Sequence, residues 1–162
     1  MLKENDAEEL FVFECGNREF FEKMVPSRGE AYYHFDTFII RHQEVLREQK
    51  NGFSQFYLVR NVAREIIGRI NLIDIDRIND TAEIGFRVGE EHGGKGVGNK
   101  ALQQLFNTIL PIRGKTTTAN QGSQKVLERN GFKKVGIGKD EFDMNGQRMR
   151  FIHYLWEKKR SE

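Results

Sequence analysis

The spacing of apolar positions changes several times along the chain, and each change marks an element. Leu10-Phe-Val-Phe-Glu14 is a short unbroken apolar run and predicts a first strand. Asn17 can cap a short helix through Met24, closed by a turn at Pro26-Ser27-Arg28-Gly29. A longer helix runs from about Asp36 to Lys50, where Asn51-Gly52 stops it. Gln55 to Arg60, Glu65 to Asp74 and Thr81 to Val88 are extended stretches that predict an antiparallel meander, the last two joined across Arg77-Ile78-Asn79-Asp80. After a glycine cluster at 93–98, Ala101, Leu102, Leu105, Phe106 and Ile109 recur at helical spacing until Pro111. A short strand near Lys115 to Ala119 precedes a helix over Gln121 to Arg129, ended by Asn130-Gly131. Two last strands, about Lys133 to Gly138 and Arg148 to Trp156, are separated by a turn at Asn145-Gly146. Strands and helices in this order predict an α+β fold around one central sheet, with residues 1–162 forming one domain.

Composition narrows the class. Hydrophobic residues make up 38% and charged residues 31%, a mixture that folds into a globular core. The net charge of +2 argues against direct nucleic-acid binding, which calls for a basic excess. Cys15 is the single cysteine, and His34, His42, His92 and His153 have no ligand spacing, so neither a disulfide nor a metal centre is expected. The acidic start and the lack of any run of 18 apolar residues predict a cytoplasmic protein without a membrane span. The charge is unevenly spread: residues 1–94 carry 12 Lys/Arg and 18 Asp/Glu, whereas residues 95–134 carry eight basic residues against Glu128 alone. That basic segment calls for an anion, and the acidic first part would suit a cationic acceptor.

Six of the sixteen glycines lie between Gly85 and Gly98, and Gly89-Glu-Glu-His-Gly-Gly-Lys-Gly-Val-Gly98 joins a strand to a helix. Glycines let backbone N–H groups approach a ligand, and a helix N-terminus adds partial positive charge, so phosphate is the natural guest. A nucleotide hydrolase, as a third class, is disfavoured because in a nucleoside-triphosphate loop the position after Lys95 must hold magnesium through Ser or Thr, and here it is Gly96. A dinucleotide fold needs an acidic residue about 20 positions on, and the strand at Lys115 to Ala119 offers none.

The loop Gly93-Gly94-Lys95-Gly96-Val97-Gly98 resembles the pyrophosphate loop of the GNAT superfamily of acyl-CoA-dependent N-acetyltransferases, with Gly93 in place of a long polar residue at its first position. Within that superfamily the chain is most similar to the RimJ/RimL group, the ribosomal-protein N-terminal acetyltransferases. The resemblance runs from about Asn17 to Tyr154 and takes in Asn17-Arg-Glu-Phe-Phe with Pro26, Glu65-Ile-Ile-Gly68, Ala82-Glu-Ile-Gly-Phe86, Asn120-x-x-Ser123 and Gly131-Phe132. It implies a GNAT fold with a mixed sheet of about seven strands flanked by about four helices, and acetyl-CoA as cofactor. The cofactor surface would comprise Phe86, Arg87, Val88, Gly93, Gly94, Lys95, Gly96, Val97, Gly98, Asn99, Asn120 and Lys125.

Moving acetyl from a thioester to an amine requires a neutral amine, a stabilised oxyanion and a proton for the thiolate. Strand alternation puts Glu83 on one face with Gly85, which leaves room beside the carboxylate. The resemblance makes Glu83 the general base and Ser123 the donor near the sulfur, with Asn120 against the pantetheine arm. A backbone N–H near Val88 would meet the oxyanion if the strands 81–88 and 115–119 splay apart. Read structurally instead, Glu83 is a strand carboxylate paired with Arg69 or Arg87, and Asn120 and Ser123 are helix caps. Cys15, placed in the first strand, lies away from this constellation, so transfer should be direct. A protein or peptide α-amine, ribosomal or other, asks less of a base than a lysine. The other acceptor is a small amine such as an antibiotic or polyamine, and a rival class is a non-catalytic acyl-CoA-binding module. Monomer and homodimer are both compatible with the chain.

Overall fold

A computed structural model describes residues 1–79, 81–105 and 111–157. Three helices come first: α1 (Ala7–Gly16), α2 (Arg18–Met24) and α3 (Phe35–Lys50). The meander β1 (Gln55–Arg60), β2 (Ile66–Asp76) and β3 (Thr81–Val88) follows, then α4 (Val97–Leu105), β4 (Ile112–Thr117) and α5 (Gln121–Arg129). The chain closes with β5 (Lys133–Ile137), the hairpin β6 (Phe142–Met144) and β7 (Gln147–Met149), and β8 (Phe151–Trp156).

The first element is a helix where a strand was expected. Leu10, Phe13 and Glu14 are buried with Ala7, at spacings of three and four that define one helical face, while Val12 is 69% exposed. The unbroken apolar run hid this period. Glu8 and Glu9 in the first turn also complement the helix dipole. Cys15 consequently sits on α1, exposed, and not in a strand. The last expected strand is divided between β7 and β8, and β4 begins at Ile112, ahead of the expected Lys115. Phe106 and Ile109, expected to extend α4, lie outside the described residues.

The main sheet has six strands in the order β1-β2-β3-β4-β8-β5, and β6 and β7 form a separate two-stranded sheet. Among the described residues, six plus two strands and five α-helices stand where about seven strands and about four helices were expected. All neighbours are antiparallel except β3 and β4, which run parallel and pair only over Ala82–Ile112, Glu83–Arg113 and Ile84–Gly114. Beyond Gly114 the two strands no longer pair, which is the expected splay.

Each sheet face buries its own core. Ile70, Leu72, Ala82 and Ile84 pack with Leu102 of α4 and Leu127 of α5 on one side. Leu10, Phe13, Phe21, Phe38 and Phe56 pack on the other, under α1 to α3. Alternation along β3 therefore sends Ala82 and Ile84 toward α4 and α5, and Glu83, Gly85 and Arg87 toward the N-terminal helices.

Candidate active site

A cleft of about 310 Å³ opens where β3 and β4 part, and its floor is Phe86, Arg87 and Val88 at the end of β3. Gly93, Gly94, Gly96, Val97, Gly98 and Asn99 form one wall, Asn120, Gly122, Ser123 and Lys125 another, and Phe20, Phe21, Met24 and Val25 of the α2 region the third. Gly94 and Gly96 have φ of +71° and +79°, in the left-handed region where a side chain is strained. Those two turns bring the loop into α4, whose first-turn N–H groups have no partner within the helix. The result is an anion cradle beside Lys125 and Arg129. Lys95 is exposed and does not line the cleft. Sequence reasoning did not assign His92, Gly122, Arg129 or the α2 wall to the cleft, although Phe20 and Phe21 of that wall fall in the Asn17-Arg-Glu-Phe-Phe stretch.

At the start of α5, Asn120 Oδ1 accepts a hydrogen bond from the Ser123 N–H at 3.0 Å. Asn120 is thus the N-cap, as the structural reading held, and its amide NH₂ stays available to the cleft. Asn99 is tied to the far end of the same helix, its Oδ1 accepting from Asn130 Nδ2 at 2.6 Å. That contact fixes the two cleft walls against each other.

Glu83 lies on the opposite face of β3 from the apolar floor. It does not pair with Arg69 or Arg87; its carboxylate is 4.0 Å from Lys115 Nζ, and both side chains are partly exposed, at 38% and 52%. Next on that face is Gly85, where a Cβ would meet nothing within 4 Å. The β2 partners Ile73, Asn71 and Arg69 stand opposite Glu83, Gly85 and Arg87, so all six residues share one face. A trough therefore runs from the arginines past Asn71 and Gly85 to Glu83, about 14 Å at the rise of a strand.

Arg69 and Arg87 are held by a residue that the mistaken first strand concealed. Glu14 of α1 is completely buried, with Oε1 2.9 Å from Arg69 Nε and Oε2 3.1 Å from Arg87 Nη1. Burial alone would raise the Glu14 pKa, but Arg69, Arg87 and Arg28 together outweigh it and hold the carboxyl below its usual range. Arg87 also lies over the Phe21 ring, 4.9 Å from its centre. Burial, followed by the charge of Arg69, lowers the pKa of Arg87. Arg28 is exposed as a residue, yet its charge sits against the protein mass, and burial first, then Arg69 and Arg87, bring its pKa down to about 10.

Arg69 and Arg28 face a second cavity, of about 370 Å³, between β1, β2 and the helices α1 and α3. Glu14 joins the two spaces, since Arg87 lines the cleft and Arg69 the cavity. The surplus acid of residues 1–94 is not gathered here. Glu9 and Asp6 pair with Arg60, and Glu22 and Glu30 with Arg18. Among the described residues no group of side chains could hold a metal ion. None of the described helices is long and apolar enough to cross a membrane.

The sheet thus parts beside a glycine-turned cradle suited to phosphate. Residues 1–133 match the acetyltransferase (GNAT) domain family, and the chain belongs to it. It is 30% identical over 155 residues to a probable N-acetyltransferase, YjcK, of Bacillus subtilis (strain 168), covering 90% of this chain and 84% of that one. It is 27% identical over 137 residues to the ribosomal-protein-serine acetyltransferase of Escherichia coli (strain K12), covering 81% and 75%. The fold superposes on RimL, the ribosomal L7/L12 α-N-protein acetyltransferase in complex with coenzyme A. The TM-score is 0.88 at 22% identity, over 96% of this chain and 90% of that one. The protein is accordingly a GNAT-type N-acetyltransferase that uses acetyl-CoA.

Proposed function

We propose that the protein acetylates the α-amine of a protein or peptide N-terminus by direct transfer, in the cytoplasm, with Glu83 as base and Ser123 as proton donor. The observation that carries this reading is the end of β3–β4 pairing at Ile84 and Gly114, which leaves the cofactor cleft and the Glu83 trough on either side of one opening. Acetyl-CoA supplies an activated acetyl group when bound. The backbone of Gly94 to Gly98 and the Lys125 side chain would hold its phosphates, and Phe86 and Val88 its apolar arm.

Glu83 is within reach of solvent and of the trough, so a proton taken from the amine can pass to water. The Ser123 hydroxyl stands at the cleft wall, its own N–H already satisfied by Asn120. Backbone N–H groups of β3 beyond Ile84 lack a β4 partner and would stabilise negative charge on an acyl oxygen. Cys15 is outside the cleft lining, and burial, then the Glu14 charge, raises its pKa, so it is a poor nucleophile. An α-amine titrates near pH 8, within reach of a carboxylate base working through water.

The test is thiol release from acetyl-CoA with peptides bearing different N-terminal residues and with a set of small amines including polyamines. Peptide turnover with the acetyl group mapped to the α-nitrogen is expected. Turnover of small amines alone would overturn the acceptor assignment, and coenzyme A binding without turnover of any amine would favour the binding-module reading.

A further inference from the structure

The cavity behind the trough is built for negative charge. Arg69 and Arg87 share the single carboxylate of Glu14, and Arg28 lines the same cavity as Arg69, so positive charge is in excess there. Arg28 makes no ion pair among the described residues; its guanidinium lies over the Tyr32 ring at 4.7 Å, at the cavity wall. Arg69 is half-buried; its Nε is 2.9 Å from Glu14 Oε1, and the residue lines the cavity.

The acids in that space make their own contacts. Glu44 accepts from Arg41 at 3.0 Å, and Glu48 accepts from the Ser54 hydroxyl at 2.9 Å. A polycation entering the cavity would meet Arg28, Arg41 and Arg69 against Glu44 and Glu48, an excess of positive charge that disfavours a polyamine.

We infer that the acceptor carries a carboxylate within about four residues of its amine, and that Arg28 and Arg69 bind it while the amine lies at Glu83. The reach follows from the trough: about 14 Å of strand separates the level of Arg69 from Glu83, and an extended peptide advances about 3.4 Å per residue. The inference rests on the peptide reading above and names the class of peptide.

The test compares initial rates on C-terminally amidated peptides that differ only by Glu or Gln at positions 2, 3 or 4, together with a small amino acid and its amide. The amino acid arm separates a main-chain carboxylate from a side-chain one. At one or more positions the acidic member should have kcat/KM at least tenfold higher, chiefly through KM. In Arg28→Gln the acid-to-neutral ratio should fall to about one, and Arg28→Lys should retain part of it. The ratio is taken within one preparation, so partial unfolding of a variant cannot produce its loss. Equal rates on acidic and neutral members at every position would overturn the inference and leave peptide acetylation standing. Turnover of no peptide would overturn both.

Discussion

Glu14 of α1 and Arg87 of β3 are 73 residues apart in sequence and 3.1 Å apart in space, and that contact closes the N-terminal helices onto the strand that floors the cofactor cleft. Because Glu14 is fully buried and answers two guanidiniums, losing its charge strands both. Glu14→Gln should cost about 3–5 kcal/mol in urea denaturation, the usual price of a broken buried pair.

The same carboxyl predicts a pH dependence. Its pKa is lowered in the folded state, so its contribution is complete above the unfolded value of 4.5 and is lost as pH falls through the folded value. Thermal melts should show a steeper loss of stability below about pH 4.5 in the natural protein than in Glu14→Gln.

Replacing Glu83 by Gln keeps its size and its distance from Lys115 but removes the base. At pH 7 kcat/KM for the amine should fall about 100-fold or more, with KM for acetyl-CoA changed by less than about twofold. An unchanged rate would make Glu83 only the partner of Lys115.

Ser123 and Asn120 can be separated because one caps and the other does not. Asn120→Ala removes the Oδ1 that accepts from the Ser123 N–H and should cost about 1 kcal/mol of stability. Ser123→Ala should leave the melting temperature in place and lower kcat about 100-fold, the low end of what a positioned proton donor contributes.

The cradle depends on two left-handed glycines. Gly94→Ala and Gly96→Ala place a Cβ at φ of +71° and +79°, and each should raise the KM for acetyl-CoA about tenfold. Calorimetric titration with coenzyme A would report the same loss without turnover.

Much of this was legible in the sequence. The strands 55–60 and 81–88 and the helix 121–129 were readable to the residue, because period and caps agree there. The loop glycines, Ser123 and Asn120 fall together as the motif order implied. What was hidden is long-range: Glu14 reads as the end of an apolar run, and only the fold brings it to Arg69 and Arg87. The basic segment 95–134 is also used more diversely than its sum implied. Lys125 and Arg129 reach the cleft, Lys115 goes to Glu83, and Lys133 and Lys134 ride on β5. The face between the arginines and Glu83 could not be read at all, since Asn71 meets Gly85 only through the register of β2 on β3.

The parting of β3 from β4 has one more consequence. A sheet that stops pairing midway carries unfilled rungs, and whatever lies along them finishes the ladder as well as occupying a pocket. Ligand binding is then partly a continuation of folding: protection of amides in β3 and the melting temperature should both climb with coenzyme A concentration, by mass action on the folded state. On the proposed reading, the bound cofactor would stand in for the missing strand.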